Sequence, residues 1–145
     1  SKVDGVDDAL LKTMVDRHMA MIPTLKLFSG SNSIERIREI VARFHAVGGT
    51  LLFGTDTGFL TDYDVKEEYR QLGLAGLSFQ DVLAMLTTAP AARFKVSAQT
   101  GTITTGNDGD LTILLADPAA GELQDFSRVA YTIRAGRVIF DATAH

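Results

Sequence analysis

The residues best suited to catalysis or metal binding lie in segment 54–58, which reads Gly-Thr-Asp-Thr-Gly. This segment follows the apolar run 50–53, whose composition is typical of a strand buried on both faces of a parallel sheet. In α/β folds, ligands and catalytic groups lie at the carboxyl ends of such strands. Asp56 could therefore bind a metal ion or act as a general base. A second interpretation stays open, in which Asp56 caps the next helix or stabilises the turn.

The other chemically competent residues do not form a recognisable site. His18, His45 and His145 lack His-x-His or Glu-x-x-His spacing, so each is interpreted as a packed or solvated side chain. The acidic residues of segment 62–68 lack the glycine and the terminal glutamate of a calcium loop, and we predict a solvated acidic loop there. Segment 106–109 lacks the helix and Lys-Ser/Thr of a phosphate loop and indicates a turn.

Two apolar runs joined by a helical pattern must position Asp56. The runs 20–25 and 50–53 are too short for helices and predict two strands. Between them, apolar residues from Ile34 to Val47 recur at helical spacing, with Asn32 and Glu35 placed as a capping box and Gly48-Gly49 as the stop. Strand, helix and strand together predict a right-handed βαβ unit.

The elements on either side of this unit change in character near residue 95. The pattern predicts helices over 7–17, 65–74 and 78–86, the last capped by Ser78 and Asp81, and a short helical turn near Pro90. After residue 95, glycines punctuate runs rich in Thr and Ile, which predict strands over 111–115, 129–134 and 138–140 with a turn at Ala135-Gly136.

Length and composition exclude several classes of protein. The chain has 145 residues and a net charge of −4, without the basic stripe of a nucleic-acid-binding protein. It is too short for a whole (β/α)₈ barrel, which needs about 250 residues. We expect no membrane association, because no apolar run is long enough to span a bilayer. The absence of cysteine and of a signal peptide favours a soluble, cytoplasmic location.

Three stretches, in this order and spacing, resemble the carboxyl-terminal part of metal-dependent amidohydrolases, in particular their imidazolonepropionase-like and prolidase-like branch. Segment 54–58 resembles the end of barrel strand eight, and segment 86–94 resembles the family's Thr-x-Asn-Pro-Ala segment. Segment 101–118 resembles the return into a small β-sandwich, and segment 133–138 matches its last hairpin. The chain departs from the family pattern at Ala89, Lys95 and Gly109, which concern packing and turns.

The resemblance implies a fold and a set of roles. It implies an α/β fold in which residues 1–95 form strands seven and eight of a TIM barrel with their helices, and 96–145 form part of a β-sandwich. In such enzymes the strand-eight aspartate contacts the metal, takes a proton from the attacking water and passes it to the leaving nitrogen. Asp56 would hold that catalytic and metal-binding role, and Thr57, Gly58 and Tyr63 would contact the substrate.

We therefore expect the carboxyl-terminal portion of a metal-dependent amidohydrolase that hydrolyses amide, cyclic amide or dipeptide C–N bonds. The intact parent would use a divalent metal, zinc by preference, whereas this chain alone would hold none tightly and would be inactive. The expected partners are a small amide or dipeptide substrate, the missing amino-terminal part of the barrel and a second copy of the chain. The alternative is a standalone, non-catalytic binding or scaffold module derived from the same fold.

Overall fold

A computed structural model describes residues 6–144 of the chain. Its first part contains six helices and two strands, and its last part contains three strands and one 3₁₀ helix. In chain order these are α1 (Asp8–Asp16), β1 (Ala20–Met21), α2 (Leu25–Phe28), α3 (Ile34–Ala46), β2 (Thr50–Leu51), α4 (Lys66–Leu74), α5 (Phe79–Leu86), α6 (Thr88–Arg93), β3 (Leu111–Leu114), the 3₁₀ helix (Leu123–Ser127), β4 (Val129–Arg134) and β5 (Arg137–Asp141). Over residues 6–144, no helix has the length and apolar character needed to cross a membrane.

The two strands of the first part pair in parallel, with Ala20 opposite Thr50 and Met21 opposite Leu51. Helix α3 connects them, so the predicted β-α-β order is confirmed. The prediction that the first strand reaches residue 25 is wrong. Pro23 has no amide proton to donate, Thr24 adopts a left-handed φ of 46°, and Leu25 already begins α2. The second strand is likewise shorter than the predicted run 50–53.

Local signals at the helix ends are borne out for some helices and not for others. Helix α5 begins with the predicted capping box, in which Ser78 and Asp81 each bind the other's backbone amide. Helix α3 begins at Ile34 after Ser33, which makes no side-chain cap, so the predicted capping box of Asn32 is wrong. The predicted stop is confirmed, because Gly48 takes a φ of 87° that most residues avoid.

The last part of the chain forms an antiparallel sheet in the order β3-β4-β5. Ala135 and Gly136 connect β4 to β5 with φ values of 49° and 74°, as the predicted two-residue turn requires. The 3₁₀ helix between β3 and β4 packs on α4 and carries the buried Phe126 into the shared core. The sheet and the helical part are therefore joined by apolar packing.

One apolar core runs through the helical part. Its fully buried members come from five different helices, and an aromatic row extends it toward the sheet. The largest fully buried apolar side chains are Leu11, Leu25, Val41, Phe44, Leu72 and Val82. The aromatic row stacks Phe53 on Tyr69, Tyr69 on Phe126 and Phe126 on Phe79, with ring centroids 4.8, 5.6 and 5.5 Å apart. These stacks connect the segment after β2 with α4, the 3₁₀ helix and α5.

A carboxylate is buried beside this core. Glu68 of α4 is fully buried, and its two oxygens accept the backbone amides of Leu25 at 3.0 Å and Lys26 at 2.6 Å. It thus satisfies the first amides of α2, for which Thr24 supplies no side-chain cap. The solvated acidic loop predicted for segment 62–68 is therefore wrong at Glu68. Burial raises the pKa of Glu68 above its ordinary value and outweighs the two amide donors, which lower it.

Removal of the Glu68 carboxylate should destabilise the fold. In Glu68→Leu the amides of Leu25 and Lys26 lose their acceptor, and we expect the free energy of unfolding to fall by about 3 kcal/mol. Glu68→Gln keeps one acceptor oxygen and should lose about half as much. Urea unfolding followed by circular dichroism measures both changes. Glu35→Gln, at an exposed carboxylate 4.0 Å from Arg38, is the control and should change stability by less than about 0.5 kcal/mol. A Leu variant as stable as the wild type would contradict the assignment.

The raised pKa of Glu68 makes its contribution depend on pH. Because the folded chain keeps this proton to a higher pH than the unfolded chain, the contribution is complete below the ordinary pKa of 4.5 and is lost as the pH rises through the folded pKa. The stability advantage of the wild type over Glu68→Gln should therefore be larger at about pH 4 than at about pH 7. Thermal unfolding of both proteins across this range checks it. An advantage that grows with pH would show that the amides, and not burial, dominate.

Candidate active site

The segments that follow β1 and β2 run side by side beyond the carboxyl ends of these two parallel strands. The amide of Leu52 donates to the carbonyl of Met21 at 2.9 Å, one residue beyond the last strand pair. Gly54 lies so close to the other segment that a Cβ there would come within 2.5 Å of the Ile22 side chain. This close approach requires glycine at position 54. The chain then turns outward into the loop that carries Asp56.

Asp56 is exposed and has a left-handed backbone, with φ at 57°. Its carbonyl closes the turn by accepting the amides of Phe59 and Leu60, both at 3.1 Å. Its carboxylate has neither a hydrogen bond nor an ion pair with any residue between 6 and 144. Helix α4 begins only at Lys66, so the interpretation of Asp56 as a helix cap is wrong. The main chain of Asp56 maintains the turn, and its side chain is left for another use.

The neighbouring residues Thr57 and Gly58 share the exposed turn with Asp56. The Thr57 hydroxyl lies 2.7 Å from the Thr55 hydroxyl, and the Gly58 amide donates to the carbonyl of Leu60 at 3.3 Å. Gly58 has a φ of 113°, a conformation open to glycine and to few other residues. Tyr63 lies further along the same loop with 78% of its surface exposed. The structure thus groups Asp56, Thr57 and Gly58, whereas no hydrogen bond joins Tyr63 to them in the described chain.

Lys26 links the end of this loop to the segment after β1. Its ammonium donates to the carbonyls of Asp62, at 3.1 Å, and Asp64, and it forms an ion pair with the Asp62 carboxylate at 3.0 Å. The side chain of Lys26 is only 10% exposed, so its three N–H groups face protein acceptors. Lys26 thereby ties residues 62–64 to the start of α2.

The acidic residues of the loop are occupied by the loop's own backbone. The Asp62 carboxylate accepts the amide of Asp64 at 2.8 Å, and the Asp64 carboxylate accepts the amide of Lys66 at 2.9 Å. The Asp64 amide and then the Lys26 ammonium hold the pKa of Asp62 below its ordinary value. These carboxylates shape the loop and the start of α4.

The chemistry of Asp56 fits one ligand of a divalent metal, and residues 6–144 supply no complete ligand set. An exposed carboxylate without a protein partner can coordinate a cation, yet the part of the chain that the structure describes contains no group of three or more His, Asp or Glu able to hold one. His45 Nε2 lies 3.2 Å from one carboxylate oxygen of Asp81, whose other oxygen accepts the hydroxyl of Ser78. His18 is exposed at the end of α1, and His145 lies outside the described residues.

Lys26 and Glu68 are the site-related residues that sequence reasoning missed. The helical spacing of Val65, Glu68 and Leu72 places Glu68 on the apolar face of α4, and that signal was available. No comparable signal exists for Lys26, because its partners lie 36 and 38 residues further along the chain. Long-range contacts of this kind leave no local pattern.

Comparison with known proteins supports the resemblance seen in the motifs. The model of the amidohydrolase family matches residues 55–140. A solved Xaa-Pro dipeptidase with bound methionine superposes with a TM-score of 0.81 at 15% identity, over 94% of this chain and 38% of that chain. A putative prolidase from Bifidobacterium longum is 27% identical, with a TM-score of 0.70 over 93% of this chain and 40% of its own.

A third structure, a prolidase complexed with N-methylphosphonate-L-proline, is 21% identical and has a TM-score of 0.72, over 94% of this chain and 38% of that chain. This chain therefore spans about two-fifths of the length of these structures. No protein of curated function matches the sequence. The family match covers more than half of the 145 residues, and the mixed α/β fold agrees with it. The chain belongs to the amidohydrolase family.

Proposed function

We propose that this chain is the carboxyl-terminal portion of a metal-dependent amidohydrolase that hydrolyses C–N bonds. In this proposal residues 1–95 supply strands seven and eight of a TIM barrel with their helices, and residues 96–145 supply part of a β-sandwich. The parallel pairing of β1 and β2 through α3 supports the first assignment. The antiparallel sheet β3-β4-β5 supports the second.

The observation that carries the proposal is that Asp56 combines a left-handed backbone with a carboxylate that has no partner among residues 6–144. A non-glycine residue in the left-handed region costs about 1–3 kcal/mol, and such residues cluster at functional sites as well as in turns. Asp56 carries that strain at the carboxyl edge of a parallel pair, and its carboxylate has no structural partner between residues 6 and 144. The carboxylate is therefore free to bind a ligand at the edge where α/β folds place their chemistry.

Asp56 would act in proton transfer. A carboxylate at this position accepts the proton of the attacking water and returns it to the leaving nitrogen when the C–N bond breaks. A divalent metal, zinc by preference, would supply Lewis-acid chemistry at the same place, with Asp56 as one ligand and the others from outside residues 6–144. The exposed Asp56 turn leaves room for both water and substrate.

The substrate would be a small amide, and the neighbours favour a dipeptide. One similar structure is a Xaa-Pro dipeptidase with bound methionine, and another is a prolidase bound to a phosphonate analogue containing proline. Thr57 and Gly58 would contact the substrate beside the reacting carbonyl. Tyr63, with most of its ring exposed on the same loop, would cover it.

The proposal requires a partner for the exposed surfaces of the chain. Strands β1 and β2 pair only with each other among the described residues, so each keeps an open edge. The sheet exposes a group of large apolar side chains: Leu111, Ile113, Leu115, Val138, Ile139 and Phe140. We propose that the amino-terminal part of the barrel and sandwich covers these surfaces, with a second copy of the chain as the other candidate. The chain alone would be inactive and hold no zinc tightly.

Asp56→Asn should remove activity and keep the fold. In the amidohydrolase that contains this segment, we expect the hydrolysis of methionyl-proline to fall by at least about a thousandfold, because asparagine cannot accept the proton. The melting temperature should change by less than about 3 °C, because the carboxylate has no intramolecular partner and asparagine tolerates a left-handed φ. Steady-state kinetics and a thermal melt measure the two quantities.

Asp16→Asn is the matched control, since Asp16 is an exposed aspartate at the end of α1, and it should leave both quantities unchanged. An Asp56→Asn enzyme with normal turnover would overturn the catalytic role. Failure of every preparation with intact Asp56 to hydrolyse dipeptides or cyclic amides would favour the standalone, non-catalytic module instead.

A further inference from the structure

Both the backbone amide and the side-chain ammonium of Lys26 bind other parts of the chain. Its backbone amide donates to Glu68 Oε2 at 2.6 Å, and its ammonium binds the carbonyls of Asp62 and Asp64 and the carboxylate of Asp62. The first contact is to a fully buried carboxylate on α4. The second set joins the loop between β2 and α4 to the segment that leaves β1. One lysine therefore connects three elements that surround the edge carrying Asp56.

The geometry distinguishes Lys26 from an ordinary surface lysine. An exposed ion pair contributes about 0–1 kcal/mol, and Asp62 with 67% of its side chain exposed belongs to that class. The two carbonyl contacts are different, because they fix main-chain atoms of the loop and come from an ammonium that is 10% exposed. Lys26 therefore determines the path of the backbone at residues 62–64 more than it adds charge attraction.

The backbone position of residues 62–64 affects the turn that contains Asp56. The turn closed by the Asp56 carbonyl ends at Leu60, and Thr61 alone separates it from Asp62. The left-handed conformation of Asp56 persists only while its surroundings hold it, because it is intrinsically unfavourable. Within the turn, the hydrogen bonds are local ones between residues 55 and 60. Lys26 supplies the anchor from another element.

We propose that Lys26 is a positioning residue, which fixes the loop 55–65 against the β1 exit and so sets the location of the Asp56 carboxylate during catalysis. This inference rests on the proposed function of Asp56. Displacement of a catalytic group by about 1 Å costs about a hundredfold in rate. A residue that acts through Asp56 in this way affects the chemical step, and because Thr57, Gly58 and Tyr63 lie on the same loop, it affects substrate affinity to a smaller extent.

The test compares three variants of the metal-loaded amidohydrolase that contains this segment. Lys26→Met keeps the apolar stem and the backbone amide but removes the ammonium, Lys26→Arg restores a cation with several donors, and Lys12→Met is the control at an exposed lysine of α1. Hydrogen exchange of the amides of residues 56–65 reports loop order without reference to activity. The kcat and KM for methionyl-proline report the effect on catalysis.

In Lys26→Met we expect exchange of the loop amides to accelerate about tenfold or more, kcat to fall about tenfold to a hundredfold, and KM to change by a smaller factor than kcat. Lys26→Arg should recover most of the lost kcat, and Lys12→Met should match the wild type. If Lys26→Met does not fold, Lys26→Gln, which is too short to reach both carbonyls, takes its place with the same expectations.

Unchanged loop exchange in Lys26→Met would overturn the inference. Faster exchange with an unchanged kcat would overturn it too, because the loop would then be ordered by Lys26 without consequence for Asp56. A loss confined to KM would assign Lys26 to substrate binding and contradict positioning. In the same enzyme, normal turnover by Asp56→Asn overturns the proposed function instead, so the two failures are distinguishable.

Discussion

The contact of the Glu68 carboxylate with the backbone amides of Leu25 and Lys26 is the interaction on which the arrangement of the site depends. It places a charge-bearing group in a fully buried position, which is costly unless its oxygens find donors. In return it satisfies the first amides of α2 after the left-handed Thr24 and holds the backbone of Lys26, whose ammonium binds the loop after β2. Helix α4, the β1 exit and the Asp56 loop are consequently coupled through one side chain.

Around this contact, the groups that hold the loop's conformation differ from the carboxylate proposed to act in catalysis. The carbonyl of Asp56 closes its turn, Asp62 and Asp64 bind backbone amides, and Gly54 allows the two segments to approach. None of these tasks uses the carboxylate of Asp56. A strained residue whose side chain has no structural work is costly to the fold, and the proposed catalytic role accounts for that cost.

The sequence predicts the parts of the fold that depend on local chemistry. The β-α-β order, the capping box at Ser78 and the turn at Ala135-Gly136 each rest on a pattern of a few neighbouring residues, and all three are confirmed. The buried apolar run also predicts that Asp56 follows a parallel strand, and the structure places it in the loop after β2. Its lack of a protein partner is not a local property and needed the structure.

The errors have two sources, which are contacts between distant residues and the backbone conformation just before α2 and α3. The first strand stops early because Pro23 has no amide proton and Thr24 is left-handed, and Glu68, 43 positions after Leu25, then holds the first amides of α2. Lys26 was missed because its acceptors lie 36 and 38 residues further along the chain, whereas the helical spacing of Val65, Glu68 and Leu72 did indicate the apolar face of α4. At α3, Ser31 binds the backbone ahead of the helix and the chain enters at Ser33, so Asn32 does not become the cap.

The central claim is that the free carboxylate of Asp56 is presented to a catalytic metal, and the most direct test is a crystal structure of the zinc-loaded amidohydrolase that contains this segment. The distance between an Asp56 carboxylate oxygen and the metal is the quantity to measure. The account predicts about 2.0–2.2 Å, with Asp56 still in the left-handed turn. A distance beyond about 4 Å, with the carboxylate bound to protein and a different residue in the coordination sphere, would contradict it.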